Sequence, residues 1–157
     1  MASSSLSSPP PCNYDVFLSF RGEDTRRTIV SHLYAALGAK GIITFKDDQD
    51  LEVGDHISSH LRRAIEGSKF AVVVLSERYT TSRWCLMELQ LIMELYNLGK
   101  LKVLPLFYEV DPSDVRHQRG SFGLERYQGP EFADIVQRWR VALCMVANLS
   151  GMVSRYW

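Results

Sequence analysis

Short apolar runs alternate with helix-like segments along this chain, and this alternation restricts the fold more than any other feature. The runs are rich in β-branched and aromatic residues, as is typical of strands buried on both faces, and they lie at 14–20, 41–47, 69–76 and 101–110. A segment with apolar residues at helical spacing follows each run, at 28–41, 56–66, 84–98 and 132–148. The pattern predicts a parallel sheet with helices on both faces.

The alternation of strands and helices also favours one strand order. We predict an α/β, flavodoxin-like three-layer fold, in which a central parallel five-stranded sheet has the order 2-1-3-4-5. The fifth strand has the weakest pattern, and its best candidate is the segment 146–153. Pro105 interrupts the fourth run, which favours a position near a sheet edge.

This strand order places two loops side by side. Ligands bind such sheets beyond the carboxyl ends of the strands, where the winding reverses between strands 1 and 3. The loop after strand 1 reads "RGEDTR" (21–26), and the loop after strand 3 reads "ERYTTSR" (77–83). We therefore expect a crevice surrounded by Arg21, Gly22, Ser82, Trp84 and Glu88.

Composition excludes several classes of protein. The chain has 157 residues, which is the length of one domain, and its 18 basic residues balance 18 acidic ones. No net field therefore favours nucleic acid or an acidic membrane, and no apolar run reaches the roughly 18 residues of a membrane span. Three widely spaced cysteines indicate neither a disulfide framework nor a metal site and favour a reducing compartment. Residues 1–13 are predicted to be a disordered Ser/Pro-rich leader.

Glu88 is the residue that composition and fold class leave unexplained. On a helical wheel it lies about 40° from Trp84, on the same stripe as Leu91 and Leu95. A carboxylate on an apolar stripe needs a partner, a cavity or a changed pKa. It could simply be an acid near a helix start that bonds to a neighbouring loop, or it could be a functional acid in the expected crevice.

One carboxylate limits the chemistry of such a site. Glycoside hydrolases usually need two, because the leaving group must be protonated. The nicotinamide–ribose bond of NAD has a leaving group that is already cationic, so a single carboxylate could stabilise its oxocarbenium-like transition state. Trp84 could hold a flat base, and Arg21 could bind phosphate through its fork of donors. No phosphate-binding glycine motif and no set of metal-binding histidines is present, so we predict no metal.

Five blocks of sequence resemble the plant TIR (Toll/interleukin-1 receptor) domain in order and spacing. They begin with "YDVFLSFRGEDTRRTIVSHLYAALGAKGIITFKDD" and continue with "LEVGDHI", "SRWCLMEL", "VLPLFYEVDPSDVRHQRGSFG" and "VANLSGM". The resemblance implies a single TIR domain at 14–157, either in a TIR-only protein or at the N-terminus of a plant immune receptor. It also implies the flavodoxin-like fold.

The resemblance implies an activity and its site residues. Many plant TIR domains are NAD nucleosidases when self-associated, and they make nicotinamide and ADP-ribose-type or cyclic signalling nucleotides that trigger defence and cell death. Their catalytic glutamate corresponds to Glu88. Their nucleotide contacts correspond to Arg21, Gly22, Glu23, Asp24, Thr25, Arg26, Gly54, Ser82 and Trp84. NAD would be a substrate, with NADP as a second candidate, so no cofactor is expected.

Other functions stay open at this point. Cys85 corresponds to the cysteine implicated in a secondary activity of some members, which make cyclic nucleotides from nucleic acid. A non-enzymatic adaptor that recruits other TIR-containing immune receptors is a further alternative. From the residue pattern alone, Cys85 is better interpreted as a small core residue.

The resemblance also concerns assembly and location. Self-association in the family uses a Ser-His pair, here Ser31 and His32, and the loop 47–56 takes part in packing and in covering the substrate. Met152 stands where a Trp is usual, and the family's final helix is expected to be missing or truncated. We expect a cytoplasmic protein, with the nucleus as a second location, and no membrane partner.

Overall fold

The computed structural model describes residues 14–46 and 57–154, and a parallel sheet of five strands lies at its centre. The strands are β1 (Tyr14–Ser19), β2 (Thr44–Lys46), β3 (Ser68–Leu75), β4 (Lys102–Phe107) and β5 (Met152–Val153). They are arranged in the order β2-β1-β3-β4-β5, and every neighbouring pair is parallel. The predicted flavodoxin-like order is confirmed.

Helices connect these strands, as the alternating pattern predicts. They are α1 (Gly22–Thr25), α2 (Ile29–Ala39), α3 (Ser59–Glu66), α4 (Arg83–Asn97), α5 (Pro112–His117) and α6 (Ala133–Ala147). The helical spacing predicted α2, α3, α4 and α6 but neither of the short helices α1 and α5. Among the described residues, no helix is long and apolar enough to cross a membrane.

Two strands are shorter than the apolar runs suggest. The second run begins at Gly41, whose φ of 76° belongs to the turn that precedes β2. The fourth run ends early because Glu109 has a φ of 56° and cannot continue an extended strand. Pro105 precedes the two β4 residues that pair with β5, which agrees with its predicted position near a sheet edge.

Apolar side chains cover both faces of the sheet and fix the position of α4. The larger core lies under α3, α4 and α6, and the smaller core lies under α2. Leu86, Leu89 and Ile92 of α4 are completely buried in the larger core. Each such side chain contributes about 1.5–3 kcal/mol through burial. The start of α4 is thereby held next to the carboxyl ends of β1 and β3.

Candidate active site

Glu88 is buried at the point where α4 meets the end of β1. Only 4% of the residue is exposed. The hydroxyl of Ser19, the last residue of β1, donates a hydrogen bond of 2.8 Å to Glu88 Oε1. Ser19 lies on the same face of β1 as Phe17, which packs into the larger core. The carboxylate on the apolar stripe therefore has a partner on the sheet.

Tyr79 extends this contact to the loop after β3. Its side chain is completely buried, and Tyr79 Oη lies 2.8 Å from Ser19 Oγ. The phenol also donates to the backbone oxygen of Cys85 at 3.1 Å. Burial raises the pKa of the Tyr79 phenol well above its usual range, and the neighbouring Cys85 and Glu88 raise it further. Tyr79 is therefore a neutral phenol at physiological pH.

The first turn of α4 is fixed by two local contacts. Ser82 is the N-cap residue, and its hydroxyl accepts a hydrogen bond of 3.2 Å from the backbone N–H of Cys85. Such a cap contributes about 1 kcal/mol. The Cys85 thiol is buried and donates to the backbone oxygen of Phe20 at 3.4 Å. Ser82 and Cys85 thus help to hold Glu88 in place, beside any contact they make with a ligand.

Charged side chains join the loop after β1 to the loop after β3. Glu23 accepts from Arg21 at 3.1 Å through Oε2 and from Arg78 at 3.0 Å through Oε1. Arg78 belongs to the loop after β3, whereas Arg21 and Glu23 belong to the loop after β1. One carboxylate therefore bridges both loops and holds two guanidinium groups beside it.

The packing of the loop after β1 shows why a glycine stands at position 22. The Thr25 hydroxyl donates to the backbone oxygen of Arg21 at 2.6 Å, which closes the turn of α1. The Arg26 guanidinium lies 5.7 Å from the centre of the Phe20 ring, in a cation–π contact. A Cβ atom at Gly22 would lie 2.6 Å from this guanidinium, so a larger residue would displace Arg26.

The structure brings most of the predicted site residues together, and some lie elsewhere. Trp84 is half-buried at the start of α4 and packs against the larger core. Ser31 and His32 are exposed on α2. Gly54 and the loop 47–56 lie outside the described residues, as does the side chain of Asp24. Within the ranges 14–46 and 57–154, no three His, Cys, Asp or Glu side chains gather into a metal site.

Sequence reasoning missed Ser19 and Tyr79. Ser19 stands in "YDVFLSF" at a position that faces the core, where an apolar residue would be expected. That single polar residue at the carboxyl end of a buried strand was the available signal. Tyr79 carries no comparable signal, because an aromatic residue in a loop usually packs into the core without further meaning.

Comparison with known proteins agrees with this architecture. The family model "TIR domain" matches residues 13–157. This chain belongs to the TIR domain family. TMV resistance protein N of Nicotiana glutinosa is 56% identical in an alignment of 155 residues, which covers 96% of this chain and 13% of that protein. Disease resistance protein RPV1 of Vitis rotundifolia is 53% identical over 152 residues, which are 96% of this chain and 11% of that protein.

A solved structure with the same fold is also similar in sequence. The TIR domains of the activated Roq1 resistosome, which directly recognizes the pathogen effector XopQ, superpose with a TM-score of 0.84 and 52% identity. The match covers 91% of this TIR chain and 89% of the Roq1 chain. The curated relatives are several times longer than this chain, which spans 13% or less of N and of RPV1.

Proposed function

We propose that this TIR domain signals in plant immunity by cleaving the nicotinamide–ribose bond of NAD when it self-associates. Its products would be nicotinamide and ADP-ribose-type or cyclic nucleotides that trigger defence and cell death. The observation that carries this proposal is the position of Glu88. It is a carboxylate buried to 96%, at the point where the sheet reverses its winding and where such folds bind ligands.

Electrostatics support this reaction. The departing nicotinamide is neutral once the bond breaks, so the positive charge passes to the ribose ring, and a fixed carboxylate in a dry site stabilises it strongly. Glu88 is fixed on both sides, because α4 is packed into the core and Ser19 holds its Oε1 atom. The single carboxylate is then sufficient, since the leaving group needs no proton.

Charge and shape at the loops after β1 and β3 support a dinucleotide as the substrate. Arg21 and Arg78 supply planar donors that match the oxygens of a pyrophosphate. Trp84 at the start of α4 offers a flat aromatic surface for a base. NADP has the same reacting bond, so it is a second substrate of the proposed activity.

Assembly is the second part of the proposal. Ser31 and His32 are exposed on α2, where a second copy of the domain could contact them. The Roq1 chains superpose on this one and belong to a resistosome. We propose that the same fold assembles through TIR–TIR contacts, with itself and with TIR-containing immune receptors. Cytoplasm and nucleus are the locations that agree with such partners.

The test is nicotinamide release by purified protein that has been driven to assemble at high concentration. Wild type incubated with NAD or NADP should release nicotinamide, and Glu88→Gln should reduce the rate to the background. Glu94→Gln is the matched control, because Glu94 lies on the exposed face of the same helix, beside Gln90. Circular dichroism should show all three proteins folded.

The same assay decides between this proposal and its alternatives. A wild type that assembles but releases no nicotinamide would favour a non-enzymatic adaptor. Activity that depends on added nucleic acid and is lost in Cys85→Ala rather than in Glu88→Gln would favour the cyclic-nucleotide alternative.

A further inference from the structure

The buried hydroxyls beside Glu88 have fewer hydrogens than contacts. Three oxygen–oxygen contacts connect the group: Ser19 to Glu88 at 2.8 Å, Ser19 to Tyr79 at 2.8 Å, and Tyr79 to the Cys85 carbonyl at 3.1 Å. The carboxylate and the carbonyl have no hydrogen to donate. Ser19 and Tyr79 have one hydroxyl hydrogen each. Two hydrogens must therefore serve three contacts when Glu88 is ionised.

One added proton completes the network. If Glu88 is protonated, its O–H can donate to Ser19, the Ser19 hydroxyl can donate to Tyr79, and Tyr79 can donate to the Cys85 carbonyl. Every contact then has its own hydrogen, with the oxygen atoms where the structure already places them. A chain of this kind also strengthens each of its members, because aligned hydrogen bonds polarise one another.

We propose that Ser19 and Tyr79 form a buried hydrogen-bond relay that accommodates the proton which Glu88 takes up during NAD cleavage. This inference rests on the function proposed above, because the hydroxyl group that replaces nicotinamide must lose its proton. The C–N bond breaks, and its electron pair leaves with nicotinamide. An attacking hydroxyl group, of water or of a nucleotide, then forms the new C–O bond at the same carbon. Its O–H proton passes to Glu88 and afterwards to solvent.

The relay makes Ser19 and Tyr79 positioning residues. They act on the substrate through Glu88, and only one of the two side chains contacts it directly. Ser19 contacts the carboxylate directly, whereas Tyr79 reaches it through Ser19 and completes the network only while Ser19 is present. This order in the chain is what distinguishes a relay from two independent packing contacts.

A double-mutant cycle on the full chain tests the order. We expect Ser19→Ala to lower kcat by about 10–100-fold, which is less than the roughly 10²–10⁴-fold that a positioned acid or base itself contributes, with KM for NAD unchanged. Tyr79→Phe should lower kcat by about tenfold in the wild-type background and by less than twofold in the Ser19→Ala background. Ser19→Thr, which keeps the hydroxyl, should recover most of the activity.

Ser68→Ala is the matched control. Like Ser19, Ser68 is a buried serine on a strand. Its hydroxyl donates to the backbone oxygen of Ala64, and it lies at the opposite end of the sheet, beside Tyr14. It should retain wild-type kcat. Thermal unfolding followed by circular dichroism shows that each variant is folded at the assay temperature.

The outcomes separate this inference from the proposed function. An active wild type with Ser19→Ala equally active overturns the relay alone. The relay is also overturned if the fold-losses in kcat from Ser19→Ala and Tyr79→Phe multiply in the double variant, because independent contacts behave in that way. An inert wild type overturns the proposed function and the relay together. Failure of Ser19→Thr to recover activity, in a folded protein, argues that side-chain size rather than the hydroxyl matters.

Discussion

Glu23 and Arg78 form an ion pair of 3.0 Å between the loop after β1 and the loop after β3, although they lie 55 positions apart in the chain. The same carboxylate also pairs with Arg21 at 3.1 Å. Both Glu23 and Arg78 are more than half exposed, at 52% and 57% of the side chain, so the pair adds little to stability. We expect its larger effect to be on the positive charge that the proposed substrate would meet at Arg21 and Arg78.

We predict that Glu23→Gln lowers KM for NAD. The substrate phosphates compete with the Glu23 carboxylate for the two guanidinium groups, so removing its charge favours the phosphates. The gain should be about two- to fivefold, the effect of an exposed pair, and it should diminish at high salt. Arg78→Gln, measured in the same nicotinamide assay, should raise KM. An increased KM in Glu23→Gln would mean that its carboxylate contacts the substrate directly.

Tyr79 leads to a prediction about alkaline stability. Its pKa is raised in the folded protein, whereas the unfolded chain loses the phenol proton near pH 10. The stabilising contribution of Tyr79 to the folded protein is therefore fully present below pH 10, and it is lost as the pH rises towards the pKa of Tyr79 in the folded state. In this window the free energy of unfolding should fall by about 1.4 kcal/mol per pH unit from this group.

Urea unfolding between about pH 8 and 11 measures this slope. The slope of wild type above pH 10 should be steeper than that of Tyr79→Phe. Tyr96→Phe is the control for the loss of a phenol elsewhere in the domain, because Tyr96 is exposed on α4. Equal slopes in wild type and Tyr79→Phe would contradict the buried, neutral phenol.

The alternation of strands and helices made most of this fold predictable. Long segments with clear helical spacing predicted α2, α3, α4 and α6, and the alternation of strands and helices favoured the flavodoxin-like strand order. The short helices α1 and α5 were not predicted, because fewer than two turns are too short to show a period. The signal for α5 was local: Asp111 caps the helix through the N–H of Ser113, and Pro112 follows it.

The strand topology made the location of the candidate site predictable, but not all of its residues. The rule for ligand binding in open sheets predicted that the loops after β1 and β3 meet, and contacts such as Glu23 to Arg78 confirm it. Glu88 was found because its charge contradicts the apolar stripe of α4. Ser19 and Tyr79 could not be found in this way, since a hydrogen bond between residues 60 positions apart depends on packing rather than on spacing.

Gly151 and Gly38 provide a matched pair for stability. A Cβ atom at Gly151 would lie 2.3 Å from the backbone oxygen of Pro105, so Gly151→Ala must move β5 away from β4. We expect it to lower the free energy of unfolding by about 1–3 kcal/mol. Nothing lies within 4 Å of a Cβ atom at Gly38, so Gly38→Ala in α2 should raise it by about 0.5–1 kcal/mol. If chemical denaturation shows that both variants change the free energy of unfolding in the same direction, the predicted clash between a Cβ atom at Gly151 and Pro105 is wrong.

His32 provides the test of assembly through α2. Its side chain is exposed, so His32→Ala should change the free energy of unfolding by less than about 0.5 kcal/mol. We nevertheless expect weaker self-association in analytical ultracentrifugation and a rate of nicotinamide release that falls with it. Because the proposed activity needs assembly, raising the concentration of the variant should restore the rate. Arg140→Ala, at an exposed position of α6, is the control for an unrelated surface change. Self-association and turnover that are both unchanged in His32→Ala would exclude this surface of α2 from the assembly, and Ser31 with it.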